Sequence, residues 1–138
     1  MKEAIPSAGV LIIRNGEVLL VKHGPSASHL TDTYGIPAGR IEENETEIDA
    51  ALRELQEETG LTTTEENLQE LDKVYTAEIK RKENTEKFSL KVYLCNSYSG
   101  GLKATDETKP EWVKIKDIDR YLLLPNVKQM ILDGLKYI

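Results

Sequence analysis

Residues 39–61 read GRIEENETEIDAALRELQEETGL and hold the clearest helical pattern in the chain. The apolar residues of this stretch recur at the i, i+3, i+4 and i+7 spacing of one helix face, and they are Ile48, Ala51, Leu52 and Leu55. Asn44 is a suitable N-terminal cap, and Glu47 three positions later completes a capping box. Gly60 stands where a left-handed glycine ends a helix. The stretch therefore predicts an amphipathic helix that packs one face against a core.

Beside this apolar stripe the same helix carries a cluster of carboxylates. Glu54, Glu57 and Glu58 are spaced i, i+3 and i+4, so they leave the helix on one side. Like charges at this spacing destabilise a helix slightly, and a hard cation with oxygen ligands, such as Mg²⁺, relieves the repulsion. The alternative is an acidic face that is merely solvated, which is the commoner use of such a pattern.

Strand and helix patterns flank this helix on both sides. Asn15-Gly16 favours a type I′ turn, so the apolar runs 9–13 and 18–21 predict a hairpin. Further strands are predicted at 71–79, 88–94 and 112–115, a second hairpin through 81–86, and a last helix from the stripe Val127, Met130, Ile131 and Leu135, with Pro125 near its first turn. The order predicts an α+β (mixed α/β) fold in which helices flank a sheet. The length fits a single domain over residues 1–138.

Composition excludes several classes of function. The net charge of −6 argues against a nucleic-acid polymer as partner, because such binders usually carry a basic face. We find no apolar run of membrane-spanning length and no signal-peptide pattern at the N-terminus. The single cysteine, Cys95, cannot form an internal disulfide, which agrees with a reducing compartment. A protein of the cytoplasm is therefore expected.

The complete pattern of residues 39–61 resembles the Nudix box, Gly-x5-Glu-x7-Arg-Glu-U-x-Glu-Glu-x-Gly-U, in which U is a bulky aliphatic residue. Every defined position is matched, by Gly39, Glu45, Arg53, Glu54, Leu55, Glu57, Glu58, Gly60 and Leu61. Ala38 stands where many members have a glycine, a departure that removes no functional group. The resemblance implies the Nudix fold over nearly the whole chain, an α/β/α sandwich with a mixed sheet flanked by helices.

The resemblance also implies a metal site and catalytic roles. The implied metal ligands are the backbone carbonyl of Gly39 and the side chains of Glu54, Glu57 and Glu58, with Glu107 as a further candidate. The ion is expected to be Mg²⁺, with Mn²⁺ as the alternative. Arg53 is implied to orient the carboxylates, and Glu45 to anchor the loop to the helix. Because the general base varies within the family, Glu54, Glu57 and a later acid, Asp106 or Glu107, all stay open.

The substrate is less defined than the bond that is cut. The family cleaves the diphosphate bond of a nucleoside diphosphate linked to another group. The small size resembles the MutT-type members, which act on nucleoside triphosphates. Three positions line up with that group: Lys22 with a basic phosphate-binding position, His29 with a histidine in the loop before the box, and Asn126 with an asparagine that reads a purine edge. Each also has a simpler interpretation, as a charge at a strand end, a loop residue and a turn or helix cap.

We therefore expect a purine nucleoside triphosphate as substrate, with a nucleoside monophosphate and pyrophosphate as products. ADP-ribose, a dinucleoside polyphosphate or a nucleotide-sugar is the alternative substrate. A third hypothesis is a regulator with this fold that binds a nucleotide and catalyses nothing. Many small members of the family form homodimers, so a homodimer is a further expectation, although no residue here identifies an interface.

Overall fold

The computed structural model describes residues 3–138. Its strands are β1 (Ile5–Leu11), β2 (Ile13–Arg14), β3 (Glu17–His23), β4 (Tyr34–Gly35), β5 (Ala38–Arg40), β6 (Leu68–Lys80), β7 (Thr85–Cys95) and β8 (Thr108–Lys114). The helix α1 (Glu47–Thr59) follows β5, and α2 (Val127–Leu135) closes the chain. Two short 3₁₀ helices span Glu65–Asn67 and Ile115–Arg120. Every predicted helix and strand is present, and most strands are longer than their apolar runs.

The strands form two sheets. In the first, the order is β5-β1-β7-β6, with β1 parallel to β7 and the other pairs antiparallel. In the second, β3 pairs with β2, β4 and β8, each time antiparallel. The first sheet is therefore mixed, as predicted.

The first hairpin is shorter than its apolar runs suggested. Asn15 and Gly16 both have positive φ, 47° and 75°, as a type I′ turn requires. Ile13 pairs with Val18 across this turn, but residues 5–11 belong to β1 and pair with β7 in the other sheet. The turn prediction is confirmed, and the chain changes sheets just before the hairpin.

Helices cover both faces of the first sheet, because successive side chains of a strand point to opposite sides. Ala8, Val10 and Ile12 are buried in a cluster with Ala51 and Leu55 of α1. On the other face the buried cluster combines β-strand residues with α2, and it includes Leu11, Val92, Val127, Met130 and Ile131. This arrangement is the predicted sheet flanked by helices. Among residues 3–138, no helix has the length and apolar character needed to span a bilayer.

The helix α1 begins two residues later than the predicted cap. Thr46 is the N-cap: its hydroxyl accepts from the Asp49 backbone N–H, and the Asp49 carboxylate accepts from the Thr46 N–H. Asn44 instead adopts φ 67° in the preceding loop, so the Asn44–Glu47 capping box was wrong. The predicted end is confirmed, since Gly60 is left-handed at φ 83°.

Close packing of β1 against β5 depends on Gly9. An added Cβ there would lie 2.7 Å from the Cβ of Ala38 and 2.9 Å from the carbonyl oxygen of Pro37. We expect Gly9→Ala to lower the free energy of unfolding by about 1–3 kcal/mol, because overpacking forces the neighbouring strand to shift. Gly101→Ala is the matched control, since nothing lies within 4 Å of its added Cβ. Urea unfolding measures both, and equal midpoints for Gly9→Ala and wild type would contradict this packing.

Candidate functional site

The guanidinium of Arg53 joins three carboxylates of the box. Its Nε and Nη2 donate to the two carboxylate oxygens of Glu45 at 2.7 and 3.0 Å. Its Nη1 donates to Glu54 at 2.7 Å and to Glu57, one turn on, at 3.3 Å. Arg53 is thus in hydrogen-bond contact with both Glu54 and Glu57, and its orienting role stays a prediction.

The same guanidinium ties the loop before α1 to the helix. Nη2 of Arg53 also donates to the backbone carbonyl of Arg40 at 3.0 Å, and Glu45 accepts from the backbone N–H of Glu42 at 2.9 Å. The hydrogen bonds from Arg53, followed by that from Glu42, lower the pKa of Glu45 to about 2. Glu45 therefore lies in the anchoring position expected for it.

Glu54 lies directly against Gly39. A Cβ added at Gly39 would collide with the Glu54 carboxylate, so only glycine leaves room for that group here. The Glu54 side chain is 14% exposed, and burial is the main cause that raises its pKa, against the opposing effect of Arg53. The glycine at the start of the box and the first glutamate of its acidic run are thus in contact.

Glu58 completes the cluster from the inner side of the helix. It accepts a hydrogen bond from the backbone N–H of Ala38 at 2.7 Å. Burial raises the pKa of Glu58 well above its ordinary value, and the charges of Glu54, Glu57 and Glu107 raise it further. Four carboxylates, from α1 and the loop before β8, therefore repel one another at one place, which is the charge arrangement that a divalent cation relieves.

The carboxylates of the cluster on α1 accept hydrogen bonds from other groups of the protein. Among residues 3–138, no three His, Cys, Asp or Glu side chains are grouped so that they could hold an ion as they stand. Glu54 and Glu57 are turned towards Arg53, and Glu58 towards Ala38. A cation would have to replace some of these hydrogen bonds. The oxygen donors, their shared repulsion and the space at Gly39 fit a hard divalent ion.

Glu107 and Asp106 lie on the loop that precedes β8. The carbonyl of Glu107 accepts from the Gly24 backbone N–H at 2.7 Å, which joins this loop to the loop after β3. Glu107 raises the pKa of Glu58, so its carboxylate belongs to the same electrostatic cluster. Both Asp106 and Glu107 are exposed. Of the two, Glu107 is the one whose charge acts on Glu58.

An apolar cavity opens beside the carboxylate cluster. Its apolar walls include Ile36, Tyr75, Phe88, Leu124 and Met130, and Gly39 is also part of its lining. The polar side chains of its lining include those of Ser7, His23, His29 and Asn126. A mostly apolar cleft with a few polar groups is the usual form of a site for a small organic ligand.

The structure brings two of the three predicted substrate residues to this cavity. His29 and Asn126 line it, whereas Lys22 is not in the lining and forms an ion pair with Asp32 at 3.5 Å. Asn126 has φ 70° and makes no side-chain cap on α2, and its Nδ2 donates to the carbonyl of Thr76 at 3.1 Å. The amide therefore links the start of α2 to β6 at the edge of the cavity.

His23 lines the cavity and was not singled out from the sequence. It ends β3 and is 5% exposed. A histidine at the end of an apolar strand carries no local signal of function, because only the fold brings Gly35, Leu124 and His29 around it.

A family model, curated relatives and solved structures all match this chain. A family model described as NUDIX domain matches residues 4–133. The chain is similar to an 8-oxo-dGTP diphosphatase of Proteus vulgaris, 39% identical over 59 residues (43% of this chain), and to an oxidized purine nucleoside triphosphate hydrolase of Danio rerio, 30% identical over 110 residues (79% of this chain). It spans 52% and 65% of the lengths of these relatives. The crystal structure of the MutT protein from Methanosarcina mazei has the same fold, with TM-score 0.78, 21% identity and coverage of 99% of this chain and 96% of that one.

The Arg53–Glu45 contact should make the free energy of unfolding fall as the solution is acidified. Because the pKa of Glu45 is lowered to about 2, its carboxylate contributes stability above its ordinary value of 4.5, and this contribution is lost as the pH falls through about 2. We expect Glu45→Gln to be less stable than wild type at neutral pH, and the difference to shrink between pH 4.5 and 2. Denaturant unfolding across this range measures it.

Glu43→Gln is the control for this measurement, since Glu43 is exposed and lies in the same loop. It should have the unfolding free energy of wild type at neutral pH. A stability difference for Glu45→Gln that stays constant down to pH 2 would contradict the anchoring role.

Proposed function

The chain belongs to the NUDIX family, and we propose that it hydrolyses a phosphoanhydride bond of a purine nucleoside triphosphate, releasing the nucleoside monophosphate and pyrophosphate. The observation that carries this proposal is the meeting of two features at Gly39. The Glu54 carboxylate of the cluster lies against this residue, and the same residue is part of the lining of the apolar cavity. A molecule with an aromatic base and a polyphosphate chain fits such a pair of neighbouring environments.

The carboxylate cluster is the proposed metal site. Its ligands would be Glu54, Glu57 and Glu58 with the carbonyl of Gly39, and Glu107 is the further candidate. A bound Mg²⁺, or Mn²⁺ in its place, would offset the negative charge of the phosphate groups and would make the attacking water easier to deprotonate. The acidic cluster is otherwise unsuited to a polyanion, so the proposal requires a divalent ion.

Arg53 and the carboxylates have separate tasks in this proposal. Arg53 holds Glu54 and Glu57 in place through Nη1, and its own charge is balanced by Glu45. A carboxylate must take the proton from the attacking water. Glu54, Glu57 and the later acids Asp106 and Glu107 are the candidates for this base. Glu57 is 58% exposed and has more freedom to turn from Arg53 to an ion.

The cavity is the proposed base site. Its walls are apolar, and aromatic side chains such as Phe88 and Tyr75 contribute to them. Asn126 uses one N–H for the carbonyl of Thr76, which leaves its second N–H and its Oδ1 for a purine edge. His29 lies on the same lining. Lys22 would have to break its ion pair with Asp32 before it could contact a phosphate.

ADP-ribose, a dinucleoside polyphosphate or a nucleotide-sugar would suit the same cluster chemistry. The two relatives named above are described as enzymes of nucleoside triphosphates, which supports the triphosphate proposal over these. The presence of every box carboxylate favours an enzyme over a regulator that only binds. The cytoplasmic location, the single domain and the homodimer stay predictions from the sequence.

A product-resolved hydrolysis screen with Mg²⁺ tests the proposal. The panel contains canonical and oxidised nucleoside triphosphates, ADP-ribose, dinucleoside polyphosphates and nucleotide-sugars. We expect a purine nucleoside triphosphate to have the highest kcat/KM and pyrophosphate to be released. A higher kcat/KM for a linked diphosphate, cleaved at its diphosphate bond, would contradict the triphosphate proposal. That linked diphosphate would then be the substrate. No turnover on any member of the panel would favour the binding-only hypothesis.

Replacement of one carboxylate tests the metal site within the active enzyme. Glu57→Gln removes a charged ligand from an exposed side chain, so we expect kcat to fall by at least about 100-fold while the thermal unfolding midpoint changes little. Glu43→Gln, also exposed and outside the cluster, should keep wild-type kcat. A near-normal rate for Glu57→Gln would remove this residue from the site.

A further inference from the structure

A second, polar cleft lies beside the carboxylate cluster. Its volume is about 680 Å³, within the usual range of sites for small ligands. Its lining includes three positive side chains, those of Arg40 at the end of β5 and of Arg81 and Lys82 in the turn between β6 and β7. The sequence predicted this turn as the centre of a second hairpin, and no function has been assigned to it. Guanidinium groups in a polar cleft have the chemistry of a site for an anion.

Hydrogen bonds hold the walls of this polar cleft together. The Arg81 backbone N–H donates to the carbonyl of Asn84 at 2.7 Å and closes the turn. The Lys82 backbone N–H donates to the carbonyl of Ser28 at 3.2 Å, and its Nζ donates to the carbonyl of Pro25 at 2.6 Å. The hairpin is therefore tied to the loop that follows β3, and the cleft is a built part of the fold.

Glu86 holds the two guanidinium groups of the cleft side by side. Nη2 of Arg40 donates to both of its carboxylate oxygens, at 3.0 and 2.8 Å, and Nη1 of Arg81 donates to one of them at 2.6 Å. These bonds, first of all the one from Arg81, lower the pKa of Glu86, so its carboxylate is charged at neutral pH. Each guanidinium uses one nitrogen on Glu86, and its other N–H groups make no hydrogen bond within residues 3–138.

One of these unused donors is buried. Nε of Arg81 has no hydrogen-bond partner in the described part of the chain, although it is enclosed by protein. A buried N–H without a partner is costly, and more so in a charged group. The whole side chain is only 14% exposed, so the guanidinium is held in one orientation at the wall of the cleft. Arg81 therefore has more donor capacity than the protein uses.

The polar cleft adjoins the carboxylate cluster. Glu107 belongs to its lining, and the charge of this residue also acts on Glu58 of the cluster. Arg40 directly follows Gly39, the residue that lies against the Glu54 carboxylate. A phosphate chain held at the cluster would therefore need to extend by only a short distance to meet the guanidinium groups.

The polar cleft also adjoins the apolar cavity. Phe88 belongs to the wall of that cavity. The centre of its ring lies 6.0 Å from Cζ of Arg40 and 5.8 Å from Cζ of Arg81. The apolar cavity, the carboxylate cluster and the polar cleft are thus three neighbouring environments of different chemistry.

A nucleoside triphosphate has three parts that differ in the same way. We propose that the polar cleft binds the two terminal phosphates of the substrate, and then the pyrophosphate product, through Arg40 and Arg81. Guanidinium groups suit this task because they bind phosphate oxygens through parallel N–H bonds and keep their charge. The inference rests on the proposed function for the triphosphate, whereas the affinity of the cleft for pyrophosphate can be measured separately.

The acidic side chains of the lining do not prevent this binding. They are those of Glu83, Glu86 and Glu107. Glu86 is already paired with both arginines, and a diphosphate group offers more oxygens and more charge than one carboxylate. It can therefore pair with the N–H groups that Glu86 leaves unused. Two linked phosphates can each contact one guanidinium, so pyrophosphate should bind more tightly than orthophosphate.

Titration of inorganic pyrophosphate into the metal-free full chain tests the inference without turnover. A chelator removes divalent ions, so the carboxylate cluster repels the anion and binding there is suppressed. We expect calorimetry to show saturable binding by the wild type, with weaker binding of orthophosphate. Arg81→Gln and Arg40→Gln should each bind pyrophosphate about 10-fold more weakly, the effect of losing a hydrogen bond between charged groups.

Lys87→Gln is the matched control for the loss of one positive charge. Lys87 is exposed in β7 of the same hairpin, and its side chain points away from that of its neighbour Glu86. This variant should bind pyrophosphate as the wild type does. Arg81→Lys keeps the charge without the planar fork, so its affinity should lie between those of the wild type and Arg81→Gln. Circular dichroism checks that all variants are folded.

Product inhibition connects the cleft to the reaction. The assay uses Mg²⁺ and the triphosphate with the highest kcat/KM in the screen. We expect the inhibition constant of pyrophosphate to rise about 10-fold in Arg40→Gln, while that of the nucleoside monophosphate stays as in the wild type.

Several results would overturn the inference. These are no binding of pyrophosphate to the metal-free wild type, undiminished binding by folded Arg40→Gln and Arg81→Gln, binding weakened equally by Lys87→Gln, or an unchanged inhibition constant in Arg40→Gln. Arg40 is 53% exposed, so Arg40→Gln should fold even if Arg81→Gln does not. Pyrophosphate binding that depends on these arginines, in a protein that hydrolyses no triphosphate, would reject the proposed function and keep the cleft as a pyrophosphate site.

Discussion

One guanidinium connects the fold to the chemistry of this protein. Arg53 binds Glu45 with two hydrogen bonds, holds Glu54 and Glu57 with a third nitrogen, and reaches the Arg40 carbonyl in the preceding loop. Because these partners belong to both the loop and the helix, the arginine fixes the path of the chain and the position of the carboxylates together. The acidic groups raise the pKa of Arg53 further, so its charge is constant wherever the protein is folded.

The arrangement of the sheets explains why the acidic cluster and the cavity adjoin. β1 runs beside β5 on one edge and β7 on the other, and Gly9 allows β5 to approach closely. Gly39 in β5 then touches Glu54 and also borders the cavity beneath α2. One short strand therefore borders both the carboxylate cluster and the apolar cavity.

The sequence predicted the site better where its residues are close along the chain. The box places Arg53, Glu54 and Glu57 within one helix, so their proximity follows from helical spacing alone. The predicted helix start at Asn44 was wrong. Thr46 and Asp49 form the capping box instead, and Asp49 is not the Glu or Gln that the usual capping-box pattern has at this position. His23 could not be found in this way, since its place in the cavity depends on Gly35 and α2. Lys22 shows the same limit, because its pairing with Asp32 is set by the fold.

We propose above that the carboxylates in contact with Arg53 form a divalent-cation site, and metal binding can be measured directly. Electron paramagnetic resonance of Mn²⁺ titrated into the protein counts bound ions directly, without substrate. We expect the wild type to bind Mn²⁺ saturably and Mg²⁺ to displace it. Glu54→Gln should lose this binding, because Glu54 is the carboxylate in contact with Gly39. Glu43→Gln should bind as the wild type does. Equal Mn²⁺ binding by Glu54→Gln and wild type would show that these carboxylates are not the cation site.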